Sequence, residues 1–352
     1  MPPLDRRQGL WLLAGLGALA ALPLAARRAT AAAPRGRTLC LVEKAEGRVA
    51  FYAADDGRRL GAVALGVQPH EIASDGRFAY VGGYGVEGWK KPGAGGHVVW
   101  VIDLAGRALA RTIDLAPLGR LHGVRVDGAG RLYVLSEATS ILARIDRPQA
   151  GDAPDRMVAA GGARSHYLVV RRDGARAWVA DTMSGAVIAL DPNDGAATPV
   201  RRLVGTAPEA LALSPDEATL YAIDRPAGVI HALDPATLEP RARRTMRGEA
   251  VRLVVQRDGR LVVSNLADRS LSRLDPATLR EEARLSLPAG AAGLTLDGGT
   301  LYWSGGRVME VPVIEGTGDI AGATRNVEEG ETVTDLRYVA DDRRPDVYVY
   351  AG

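Results

Sequence analysis

Three stretches of this chain can be laid beneath one another almost end to end. They read "HYLVVRRDGARAWVADTMSGAVIALDPNDGAATPVRRLVG", "PEALALSPDEATLYAIDRPAGVIHALDPATLEPRARRTMRG" and "AVRLVVQRDGRLVVSNLADRSLSRLDPATLREEARLSLPAG". Each runs through an apolar strand, an Asp-containing turn, a second strand, a third strand ending in Asp, and a fourth that closes at Gly. The anchors His122, His166, Glu209 and Val251 lie 44, 43 and 42 positions apart. A four-strand unit at that period is a propeller blade, a small twisted sheet that buries both faces only by stacking on its neighbours. A β-sandwich would not require so regular a spacing. The 42 glycines and 20 prolines suit short strands joined by tight turns.

Opening strands fall near Glu71, Gly123, Tyr167, Ala210, Arg252, Gly293 and Leu336. The expectation is therefore an all-β fold, a seven-bladed β-propeller over residues 34–352. The first phrase, "RTLCLVEKAEGRVAFYAADDGRRLGAVALG", lacks an opening strand, and "TVTDLRYVADDRRPDVYVYAG" supplies one without a full blade. Residues from about 37 to 66 and about 333 to 350 are thus expected to share one blade and close the ring. The final "VYVYAG" has no place in this count.

The "SPDxxxLY" and "DPAT" phrases, with Gly205 and Pro208 between blades, resemble the YVTN-repeat propellers, the YncE-like group of exported proteins. The resemblance covers nearly the whole chain after residue 33. It implies the fold and leaves the function open, because this architecture hosts lactonases, lyases and plain binding modules. The Asn that gives the repeat its name survives at Asn265, whereas Glu137, Asp181 and Asp224 stand in that place elsewhere.

Residues 1–33 read separately. A basic start, "DRR", leads into the 18-residue apolar run "GLWLLAGLGALAALPLAA" and then "RRATAAAP". That order is an export signal with a small-residue cleavage site; the alternative is an uncleaved membrane anchor, for which the run sits at the lower limit of length and is diluted by Gly, Ala and Pro. Arg6-Arg7 offers the twin-arginine route as an alternative to general secretion. The expected product is a periplasmic or secreted protein with no membrane span. Removing four Arg and one Asp takes the net charge from +2 to −1, which gives no overall attraction to nucleic acid. The single Cys40 cannot form an intramolecular disulfide and reads as a small buried residue.

Only five histidines are present, and three of them, His70, His122 and His166, occupy the same point of the repeat. That point lies just before the strand that lines the channel. Around the ring it is filled by Asp335, His70, His122, His166, Glu209 and Val251, in a register loose by a residue or two in the His70 and His122 blades. Three imidazoles flanked by carboxylates suit one divalent transition metal, Zn, Fe, Mn or Cu, with a position left for water. The plain reading is a hydrated channel whose polar side chains bond to ordered water. Glu209 and Asp335 are the carboxylate candidates, and Arg252 either receives an anionic ligand group or forms a rim salt bridge.

An insertion, "GGYGVEGWKKPGAGG", stretches the His70 blade to 52 residues and reads either as a cover for a ligand, through Tyr84, Trp89, Lys90 and Lys91, or as a floppy surface loop. Asp181 and Asp224 read as strand caps. Glu137 reads as a cap that could also support a ligand histidine. His231 aligns with Trp100 as a packing residue. No phosphate-cradling loop, GxSxG elbow, CxxC or CxxCH occurs, so a bound nucleotide phosphate, covalent c-type haem and a cysteine nucleophile are not indicated. Two readings of function remain. One is a small-molecule or metal site at the channel mouth, used in metal-assisted hydrolysis of lactone type or in a lyase reaction. The other is a non-enzymatic module that binds an envelope component.

Overall fold

The aspartates that punctuate the repeat are what turn the chain. In the computed structural model, Asp75 Oδ1 accepts the backbone N–H of Arg77 and Phe78, and Asp127 Oδ1 those of Ala129 and Arg131. In the two "DPATL" phrases, Asp234 accepts from Ala236 and Thr237, and Asp275 from Ala277 and Thr278. The leucines that follow, Leu238 and Leu279, take left-handed φ values of 61° and 57° and are fully buried. An Asx turn followed by a left-handed residue reverses the chain tightly enough to return the fourth strand beside the third.

The structure describes residues 38–54, 58–88, 90–287, 290–297, 300–304, 335–338 and 347–351. Among these there is no α-helix, hence no helix long and apolar enough to cross a membrane. The described strands form seven sheets, six of four strands and one of three. Four-stranded sheets open with Pro69–Ser74, Leu121–Val126, Ser165–Val170, Pro208–Leu213 and Ala250–Val255, each followed in order by its next three antiparallel strands. Burial falls along each sheet. Leu121–Val126, Ser165–Val170 and Ala250–Val255 are buried throughout, whereas the fourth strands Ala108–Asp114 and Pro240–Thr245 are mostly exposed.

The first strands of successive sheets pack on one another. Close approach is built in at Gly123, where an added Cβ would lie 2.6 Å from Leu168 Cβ on the neighbouring opening strand. Apolar clusters fill the gaps between sheets; one joins Tyr133, Leu135 and Leu142 of one sheet to Leu168, Ala177 and Val179 of the next. Cys40 belongs to such a cluster, and burial pushes its thiol up to about 12, which leaves it inert.

The chain termini depart from expectation in detail. Thr38–Glu43, Arg48–Ala53 and Arg59–Ala64 share a sheet with Val347–Ala351, the "VYVYAG" segment that had no place. Val347–Ala351 pairs with Leu39–Glu43 and packs on both Gly293–Asp297 and Pro69–Ser74. Asp335–Tyr338, read from the sequence as an opening strand, instead pairs parallel to Thr300–Trp303 as the third strand of its sheet. Leu336 lies 43 positions after Gly293, so the repeat period alone pointed to the wrong segment.

Candidate functional site

Each of five opening strands carries a β-bulge at its start. The ladder slips between Pro69 and Ile72, Leu121 and Val124, Ser165 and Tyr167, Pro208 and Ala210, and Ala250 and Arg252. The residues released from pairing include His70, His122, His166, Glu209 and Val251, the repeated point seen in the sequence. A bulge re-aims a side chain that the ladder would otherwise hold. In the first two sheets it takes two residues rather than one, which is why the sequence register is loose there.

A second set of positions converges on the first. The residue just past each second strand donates its backbone N–H to the carbonyl two positions before the bulged residue. Tyr84 bonds to Gln68 (3.0 Å), Glu137 to Arg120 (3.0 Å), Thr182 to Arg164 (3.0 Å) and Arg225 to Ala207 (3.3 Å). This corrects the alignment of Glu137. The ladder pairs Ser136 with Leu121 as it pairs Asp181 with Ser165, so Ser136 holds the cap place in that blade. Ser136 Oγ accordingly accepts from Gly119 N, while Asp181 accepts from Arg164 N and Asp224 from Ala207 N, the capping roles read from sequence. Glu137 is one residue further on and is free of that duty.

The three histidines meet. Ring centroids of His70 and His122 are 4.4 Å apart, and those of His122 and His166 are 3.9 Å apart. Tyr84 packs edge-on against His70 at 4.9 Å and His122 at 5.7 Å, and its hydroxyl donates to Glu137 Oε1 at 2.6 Å. Glu137 Oε2 lies 3.2 Å from His166 Nδ1, and Glu209 Oε1 lies 3.5 Å from His166 Nε2. One donor atom each from His122, Glu137 and His166 fall within 4.8 Å of one another. The group that could hold a metal ion is thus two imidazoles and a carboxylate. His70 stands beside it against His122, and Glu137 takes the place expected of a third histidine.

His122 is fully buried, and neither ring nitrogen has a hydrogen-bond partner among the described residues. A buried polar group left in that state costs about 1–3 kcal/mol. A metal ion would satisfy it, so the donor set fits one.

Burial holds the His70 imidazole well below the usual histidine range, with the Lys44 charge acting in the same direction. Burial, with the neighbouring His166 ring, does the same to His122. For Glu137 burial alone would raise the carboxyl. The His166 hydrogen bond and the positive charge around it, Arg164 included, outweigh that and hold it well below the usual carboxylate range. Glu209 is likewise lowered, against its own burial, by His166, Arg225 and Arg252.

These directions set a pH dependence. Below about 6.5 the unfolded chain protonates its histidines while buried His70 and His122 stay neutral, so the unfolded state binds more protons and stability is lost as the pH is lowered. Each of the two contributes a slope of up to about 1.4 kcal/mol per pH unit. Chelator-treated protein should therefore show a lower urea midpoint at pH 5.5 than at pH 7.5; equal midpoints would show that the two rings are not held neutral.

The other expected residues fall as follows. Arg252 is buried and salt-bridged to Glu209, Nη1 to Oε1 at 3.3 Å, rather than open to an anion. Arg252 and Arg125 face the Tyr167 ring at 5.5 and 4.8 Å, and Arg125 pairs with buried Glu71 at 3.2 Å. Two ion pairs thus flank one ring. Tyr84 is a buried wall of the cluster, not a cover exposed to solvent. Asp335 does not begin an opening strand, and its side chain lies outside the described residues, as does Trp89. His97 bonds to Asp114 on the surface at 2.7 Å, and His231 packs within its third strand. The cluster is also more enclosed than a rim site, with His70, His122, Glu137 and His166 all buried.

No known family profile and no curated protein matches the chain. Solved structures do. A chain of a mitotic checkpoint complex superposes with a TM-score of 0.60 at 15% identity, covering 80% of this chain and 93% of that one. A hydrazine synthase chain from Kuenenia stuttgartiensis gives 0.58 at 16%, covering 76% and 88%. A putative 6-phosphogluconolactonase from Bacteroides fragilis gives 0.57 at 17%, covering 71% and 84%. The fold is that of a β-propeller. At these identities the likeness concerns fold alone.

Proposed function

We propose that this chain is an exported seven-bladed β-propeller of YVTN type, closed by Val347–Ala351, that carries one divalent transition metal on His122, His166 and Glu137. The reaction class is metal-assisted hydrolysis of a lactone or ester, with a lyase reaction on the same centre as the variant. The observation that carries this reading is the buried His122 with both ring nitrogens unpartnered beside a second imidazole and a carboxylate. The export signal read in residues 1–33 gives the protein its proposed periplasmic or secreted location. The name of the Bacteroides fragilis structure, a putative 6-phosphogluconolactonase, agrees with the lactone reading.

When bound, the metal would supply Lewis acidity toward a carbonyl and a more acidic water. The chain's own residues do the rest. Glu137 Oε2 and His166 Nδ1, 3.2 Å apart, would both turn to the ion, which leaves His166 Nε2 to face Glu209 Oε1 at 3.5 Å, so that Glu209 would fix the tilt of the ring. The Tyr84 hydroxyl holds Glu137 Oε1 in place. Arg225 and Arg252, 3.5 and 3.3 Å from Glu209, keep that carboxylate ionised and oriented. Burial of the cluster excludes bulk water, which strengthens each of these interactions.

Metal analysis of protein recovered from its own compartment tests the reading. About one equivalent of a single transition metal should survive gel filtration and leave with a strong chelator. Metal-free protein that takes up none on titration would reject it.

A further inference from the structure

The insertion between the second and third strands of the His70 blade is a docked element. Gly96 N donates to Tyr84 O at 2.8 Å across its neck. Its backbone lies directly on the loop before Leu121–Val126: an added Cβ at Gly119 would collide with the Ala94 carbonyl oxygen, and one at Gly95 with the backbone and side chain of Arg120. Arg120 itself has φ +50°, a conformation a non-glycine residue holds only when its surroundings fix it.

That backbone sends the Arg120 guanidinium under the insertion. Its Nη2 donates to Lys91 O at 2.5 Å and to Gly93 O at 3.1 Å, and its Nε lies 3.3 Å from Gly93 O. The same guanidinium puts Nη1 3.8 Å from Glu137 Oε1 and lies 5.9 Å from the Tyr84 ring centroid. On the far side, Lys44 Nζ donates to Glu87 O at 3.1 Å and sits 4.8 Å from the Tyr84 centroid. Two cations thus clasp the insertion from either side of the tyrosine that walls the cluster. One of them also reaches the carboxylate of the candidate metal group.

We propose that Arg120 latches the Tyr84–His97 insertion over the His122–Glu137–His166 cluster and sets the rate at which a metal ion enters. The entry part rests on the metal reading above. The closed insertion covers ligands that are already buried, so an incoming ion waits on an opening event. The latch makes that event rare, because opening breaks charge-assisted bonds to two carbonyls and moves a cation away from Glu137.

The test uses the full chain, stripped of metal, as wild type, Arg120→Gln and Arg120→Lys, with folding checked by circular dichroism. Hydrogen exchange reads opening at the amides of Tyr84, Gly85 and Gly96, and zinc chloride uptake is followed against a fluorescent chelator. Arg120→Gln should exchange these amides at least about tenfold faster and take up zinc at least about tenfold faster, at unchanged final stoichiometry. Arg120→Lys keeps the charge without the fork and should fall between. Equal uptake rates with stoichiometric zinc in all three proteins would overturn the latch and leave the metal reading intact. If no protein takes up zinc, the metal reading and the entry role both fail. Exchange then decides the latch alone: faster exchange in Arg120→Gln supports the clasp, and unchanged exchange overturns it.

Discussion

A chain ending at residue 346 should unfold at a temperature lower by on the order of 10 °C than the full chain, and across the whole domain. Val347–Ala351 pairs along Leu39–Glu43 and packs on the opening strands at Pro69–Ser74 and Gly293–Asp297. Removing it strips one edge of Thr38–Glu43, where Leu39, Cys40, Leu41 and Val42 are buried almost completely. Each aliphatic side chain returned to water loses about 1.5–3 kcal/mol, and each ladder bond lost adds about 0.5–1.5 kcal/mol. The sum is comparable with a typical domain stability of about 5–15 kcal/mol. In a ring whose blades are stable only against neighbours, such a gap is felt beyond the blade that carries it. Differential scanning calorimetry of the two chains checks this. A truncated protein that melts with the full chain would mean that the terminal strand does not close the structure.

The propeller was legible because its signals are local and repeated. The turn aspartates, the left-handed leucine after "DPAT" and the alternating strands recur in consecutive phrases, so each phrase corroborates the others. The sharing of one sheet by the two ends of the chain was legible too, but the strand that does it was not, because the repeat period happens to fall on Leu336 while Val347–Ala351 makes the pairing. No periodicity argument distinguishes a strand that fills the inner place from one that adds to an outer edge. The convergence of His70, His122 and His166 was legible for a related reason: equivalent positions on neighbouring blades are neighbours in space. Glu137 was misjudged by a single residue. Aligned on the turn, it falls with the capping aspartates; aligned on the ladder, Ser136 does, and Glu137 turns inward. A serine able to cap, one position before a surplus acid, was the available signal. The docking of the insertion onto Gly119 and Arg120 was not legible at all, since it depends on contacts between loops of different blades.

Replacing His122 by Leu should abolish metal retention and leave the metal-free protein at least as stable as wild type. The two effects have one cause. His122 is buried with both nitrogens unpartnered among the described residues, so an apolar side chain of similar volume removes a polar group that is bonded to nothing there. That relief is about 1–3 kcal/mol in the metal-free state, less whatever strain the new shape brings. Losing one of three protein donors should weaken binding by at least about a thousandfold, beyond the ten- to hundredfold typical of residues that merely support a ligand. His166→Leu should also lose the metal but behave oppositely in stability, because it leaves Glu137 and Glu209, 3.2 and 3.5 Å from its ring, as buried acids short of a partner. His231→Leu should leave metal content untouched, its ring being held in a third strand away from the cluster. His70→Leu separates a three-donor from a four-donor centre: unchanged stoichiometry with weaker affinity makes His70 a neighbour, and complete loss makes it a ligand. Chemical denaturation of chelated proteins, paired with zinc titration, reads both quantities. A His122→Leu protein that is less stable than wild type by several kcal/mol would mean that the ring's nitrogens are engaged in the folded chain, and the argument for a metal there would fall with it.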